Sequence, residues 1–93
     1  MIPVTESRIK KNQFFVRTLS SGDDLNNIRG TENAGAYYIT TGVTNAPVAW
    51  TWLLVLGGIG TIQILFGESF IRIRAYTGNP IAWTSWKVAY LTA

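Results

Sequence analysis

The sequence predicts an all-β domain, a small antiparallel β-sandwich or meander of about six short strands with one helical turn. Three observations carry that expectation. Residues 50–76, WTWLLVLGGIGTIQILFGESFIRIRAY, contain two strand-length runs rich in Trp, Val, Ile, Thr and Leu. A glycine cluster, Gly57, Gly58 and Gly60, separates those runs and suits a turn better than a helix. The next run, Phe70–Tyr76, alternates: Ile71, Ile73 and Ala75 fall on one side, and Arg72, Arg74 and Tyr76 on the other. That period of two is the period of a strand.

In chain order, Met1–Asn12 is an arm without a clear period. Gln13–Leu19 alternates and predicts a first strand. Ser20–Asp24 is turn chemistry, and Asp23 or Asp24 can cap a single helical turn over Leu25–Ile28. Gly30–Gly35 reads as a loop, Ala36–Thr41 as a strand and Gly42–Pro47 as a loop. The strands Trp50–Leu56, Thr61–Phe66 and Phe70–Tyr76 follow. Thr77–Pro80 is a turn, and Ala82–Tyr90 a closing strand. The domain thus covers residues 13–93 behind an arm at residues 1–12.

Register follows from matching apolar faces. A four-residue loop Gly57–Gly60 sets Leu56 opposite Thr61, Val55 opposite Ile62 and Leu53 opposite Ile64. A two-residue loop Glu68-Ser69 sets Phe66 opposite Ile71 and Ile64 opposite Ile73. One face is then Leu53, Val55, Ile62, Ile64, Phe66, Ile71, Ile73 and Ala75, the expected core. The other is Trp50, Trp52, Leu54, Leu56, Gln63, Leu65, Arg72 and Arg74. It is too apolar for solvent and is expected to meet another subunit or another part of this chain.

A competing reading comes from the same stretch. Ala46–Phe66 is uncharged and long enough for one transmembrane helix. The glycine cluster and the alternation beyond it argue for strands, so no membrane span is expected.

Composition narrows the function. Ninety-three residues make one domain of marginal stability unless something supports it. There is no cysteine and no histidine, so disulfides, thiolate metal sites and the usual catalytic triads and dyads are out. Oligomerisation is then the common support for a small β domain. Met1–Asn12 has no apolar core segment and so no secretory-signal pattern. Residues 1–17 hold Arg8, Lys10, Lys11 and Arg17 against Glu6, whereas the body is neutral. The arm is a solvated tether or a docking segment for an acidic surface, with Arg8, Lys10 and Lys11 as candidate contacts. A nucleic-acid-binding role is disfavoured by the neutral body.

Seven short pieces then recur in order: Asp24-Leu25-Asn26, Gly35-Ala36-Tyr37-Tyr38, Thr44-Asn45-Ala46-Pro47, Leu53-Leu54-Val55-Leu56, Gln63-Ile64-Leu65-Phe66, Ile71-Arg72-Ile73-Arg74, and Trp83-Thr84-Ser85-Trp86-Lys87. Together they resemble the knob domains of bacteriophage tail fibres and R-type pyocin fibres, over Asp24–Lys87, about two-thirds of the chain. The resemblance implies a phage or phage-like virion protein, made in the host cytoplasm, with no enzymatic activity. It further implies a homotrimer and attachment to a glycan or other component of the bacterial surface. Family members are usually one module of a long fibre. A tail fibre, a separately made fibre tip, and a head or collar decoration therefore all remain open, with the arm docking onto other virion proteins.

The residues themselves offer no catalytic, metal or cofactor site. Asp23 and Asp24 are adjacent and serve capping and turns more readily than cation binding. Gly57-Gly58-Ile59-Gly60 lacks the lysine and helix of a phosphate loop. The candidate receptor or subunit contacts are Trp50, Trp52, Arg72, Arg74, Tyr76, Trp83 and Trp86. Flat rings stack on sugars, but they also pack half-buried in β sheets. Arg72 and Arg74 are further candidates for subunit pairing with Asp23, Asp24 or Glu68.

Overall fold

The computed structural model describes residues 15–91. Seven strands form one sheet: β1 Val16–Leu19, β2 Gly35–Ile39, β3 Thr51–Leu56, β4 Thr61–Phe66, β5 Phe70–Thr77, β6 Ala82–Trp83 and β7 Lys87–Tyr90. The sheet runs β1-β2-β3-β4-β5-β6, and β7 also pairs with β5. Its centre is the expected meander, because the short loops between β3, β4 and β5 can only return the chain antiparallel. Among the described residues the second layer is made of loops rather than a second sheet. β1 lies parallel to β2, an exception to the antiparallel expectation. The long connection from Ser20 to Ala34 permits that crossover.

The expected helical turn forms as a 3-10 turn over Leu25–Asn27. Asp24 caps it, its Oδ1 accepting from the Asn26 N–H at 2.9 Å. A further 3-10 turn covers Thr31–Asn33, where a plain loop is expected from sequence. The closing segment also differs: it is two short strands rather than one. The break at Thr84 has a local cause. Thr84 N–H donates to the Ala75 carbonyl at 2.7 Å, and its hydroxyl accepts from the Ala75 N–H at 2.9 Å. The chain bends there, and Trp86 packs against the core. Ala46–Phe66 folds into β3 and β4 and the loop before them, not into a membrane-crossing helix. Among the described residues no helix is long and apolar enough to span a bilayer.

The register holds one agreement and one correction. β4 and β5 pair as expected, Phe66 with Ile71 and Ile64 with Ile73. β3 and β4 are shifted by one residue: Leu56 pairs with Ile62, Val55 with Gln63 and Leu53 with Leu65. A one-residue slip exchanges the faces of a strand. The anchor of this register is Thr61, which stands opposite Gly57 when the pairing is carried one step further. The Thr61 hydroxyl accepts from the Gly30 N–H at 2.9 Å. Gly57 lies so close to the Gly30 carbonyl that a Cβ there would collide with it.

The expected core face is corrected accordingly. Leu53 and Val55 are buried, but Ile62, Phe66 and Ile73 are exposed, and Ile64, Ile71 and Ala75 are half-buried. The real core joins Leu53, Val55 and Leu65 to Leu19, Leu25, Tyr37, Ile39 and Val43. It sits on the face that carries Gln63 and Arg74, and the two loops that flank β2 cover it, the first with Leu25 and Ile28 and the second with Val43, Ala46 and Val48. On the opposite face Trp52, Leu54 and Leu56 join Ile62, Ile64, Phe66, Ile71, Ile73 and Ala75.

Candidate functional site

The covered face carries a polar and aromatic cluster where β5, β6 and the first 3-10 turn meet. Its centre is Arg74, a β5 residue only 6% exposed. Its neighbours on β5 alternate outward, so the strand period itself turns Arg74 inward. The Arg74 Nε donates to Gln63 Oε1 at 2.9 Å. Gln63, fully buried on β4, donates through Nε2 to the carbonyls of Leu25 at 2.7 Å and Ile28 at 2.9 Å. These bonds tie two strands to the turn above them. The Leu25 carbonyl, which also accepts from the Ile28 N–H, and the Ile28 carbonyl thereby gain a buried donor.

Aromatic rings enclose the guanidinium. Its carbon lies 3.9 Å from the Trp83 ring centroid and 4.8 Å from that of Trp86. Tyr76 leans against Trp83 at 5.0 Å, and the Arg29 guanidinium stands 4.8 Å over Tyr76. The result is a ladder running Arg29, Tyr76, Trp83, Arg74, Trp86, in which cations rest on ring faces. Trp83 Nε1 donates to the Asn26 carbonyl at 3.4 Å. Two buried atoms in this region, Arg74 Nη2 and Asn26 Oδ1, lack a protein partner.

Burial pulls the Arg74 pKa down to about 10, and the Asp24 charge opposes that shift. Arg74 therefore stays a cation at neutral pH. The Asp24 carboxyl is held below its usual value. The Asn45 side chain is the larger cause, its Nδ2 donating to Oδ1 at 2.7 Å. The Asn26 N–H adds to it, and the Arg74 charge contributes less.

Four of the candidate contacts, Arg74, Tyr76, Trp83 and Trp86, thus come together. Arg72 faces the same side but sits 5.4 Å over the Phe70 ring, outside the ladder. Trp52 lies on the opposite face, edge-on to Tyr38 at 4.8 Å. Trp50 stands apart, 62% exposed with φ at 57°, a left-handed backbone that few bulky residues adopt. Arg8, Lys10 and Lys11 lie outside the described residues. Asp23 is occupied locally, its Oδ2 accepting from the Ser20 N–H at 2.9 Å. Among the described residues no group of three or more His, Cys, Asp or Glu side chains could hold a metal.

Sequence reasoning missed Arg29 and gave Gln63 no role. A signal for Gln63 was present: one amide inside the apolar run Ile62-Gln63-Ile64-Leu65 must find partners if buried. For Arg29 no local pattern points to Tyr76. Chemically the cluster offers stacking faces and fixed donors, which suits binding. Comparison with protein-family models, curated proteins and solved structures returned no match.

Proposed function

We propose that this chain is a non-enzymatic fibre-knob module of a bacteriophage virion, a homotrimer that attaches to a glycan or other component of the bacterial surface. The observation that supports this reading is spatial. Five of the seven sequence pieces that resemble fibre knobs meet in one network: the Asp24–Asn26 turn, Asn45, Gln63, Arg74, and Trp83 with Trp86. Residues far apart in sequence are thus coupled as one structural signature. Within it, buried Arg74 and Gln63 and half-buried Trp86 hold the fold, while Arg29, Tyr76 and the half-buried Trp83 present rings and a cation toward solvent. Stacked rings beside a fixed cation are suited to sugars and their acidic substituents.

The test is retention of the purified chain on envelopes from a panel of bacteria, with Tyr76→Ala and Arg29→Ala as variants. The reading expects retention on some envelopes, competition by the released surface glycan, and about tenfold or greater loss in the double variant. Uniform failure to bind any envelope would contradict it.

A further inference from the structure

We infer that the face of β3, β4 and β5 that no other described residue covers is a self-association surface, and that its occupant is a second copy of this chain. It depends on the fibre-knob reading only for the number of copies; the surface itself is argued from the sheet. Trp52 is 53% exposed there, Leu56 49% and Ile73 39%, with Leu54, Ile64 and Phe66 between them. Strands about 4.8 Å apart and same-face residues about 7 Å apart make the β2–β5 and β7 face about 24 by 20 Å, on the order of 500 Å² in projection. Side-chain relief raises the accessible area toward the ~800 Å² that each partner of a stable interface contributes. A contiguous apolar patch of that size is at the upper end of what soluble monomers expose, and such patches are often functional.

Three features select a like copy. The ten side chains that β3, β4 and β5 contribute, Thr77 among them, include no charge, so two such faces meet without stranding an ion. Lys87, opposite Ile73, stands at the margin. At one end of the face, Ile59 projects fully into solvent from the glycine loop. At the same end opens a recess of about 370 Å³ whose lining includes Leu56, Ile62, Ala75 and Thr77 of this face. A projection and a recess at one end of the sheet give two copies a means to interlock. The chain's own N-terminal arm fits the face poorly, because Glu6, Arg8, Lys10 and Lys11 would have to be desolvated on it.

The experiment is the solution mass of the full chain without detergent, by light scattering during size exclusion, for the native sequence, Leu54→Lys and Ile59→Asp. The native chain should run as a multimer at about 100 μM, and Leu54→Lys as a monomer with an unchanged β circular-dichroism spectrum. Ile59→Asp, altered only at a solvent-exposed tip, should dissociate at about tenfold or higher concentration than the native chain, and it decides the matter if Leu54→Lys does not fold. A monomeric native chain overturns the inference, as does a multimer indifferent to Ile59→Asp and Leu54→Lys. Aggregates dispersed only by lipid or detergent overturn it in favour of a lipid occupant. A mass of three copies supports both the surface and the homotrimer; a mass of two keeps the surface and removes the homotrimer.

Discussion

Leu65 and Ile64 are adjacent on β4 and alike in size, yet Leu65 is wholly buried while Ile64 is only half-buried. The same contrast runs across the sheet. Toward one side lie Gln63 and Arg74, the two most polar buried residues, roofed by the loops on either side of β2. Toward the other lie Trp, Leu, Ile and Phe with nothing from the described chain above them. Hydrophobicity alone would put the roof on the second face. The first is covered because its polar groups bond to the roof: Gln63 reaches Leu25 and Ile28, and Thr61 reaches Gly30. Directional bonds fix where the loops go, and the apolar face is left without a cover among the described residues.

The largest expected effect separates the faces directly. Leu65→Ala should cost about 2–5 kcal/mol at any protein concentration, through the cavity it leaves. Ile64→Ala should cost about 1 kcal/mol in dilute solution and more where chains associate. Urea unfolding at two concentrations checks both, and equal, concentration-independent costs would erase the distinction. Next comes Gln63→Leu, which keeps the bulk but strips the Leu25 and Ile28 carbonyls and the Arg74 Nε of a partner. A loss of about 2–3 kcal/mol is expected in thermal unfolding; a neutral result would mean that the roof does not depend on those bonds.

The smallest effect concerns pH. The Asp24 carboxyl titrates below its usual 3.8 in the folded chain. Its stabilisation is therefore present above that value and lost as pH falls through the folded pKa. Asp24→Asn should make the fall in stability below about pH 4 shallower, read from denaturant midpoints across the acid range. An acid limb as steep as that of the native chain would contradict a role for the Asn45–Asp24 bond.

The all-β class, the meander and the capped turn were legible because each has a local cause: glycine placement, alternation, and Asp24 before a short apolar turn. The β4–β5 register was legible for a similar reason. Arg72 and Arg74 alternate with isoleucines, so only one pairing keeps them off the apolar side. The β3–β4 register was not. Thr51–Leu56 is Thr-Trp-Leu-Leu-Val-Leu, nearly apolar at every position, so sliding it by one residue exchanges one apolar set for another. What decides it is remote: Gly30 seated against Gly57 and Thr61. The ladder was half legible. Its tryptophans and Arg74 stood out as residue types, but their assembly depends on the bend at Thr84, where β propensity alone extends a single strand.

The two-faced sheet rests on that single register. Cross-strand nuclear Overhauser contacts in the isotope-labelled chain test it most directly, since paired backbones approach to about 4.5–5.5 Å. Contacts pairing Val55 with Gln63 and Leu53 with Leu65 are the predicted result. Contacts pairing Val55 with Ile62 and Leu53 with Ile64 would return Trp52, Leu54 and Leu56 to the covered side and contradict the two-faced sheet.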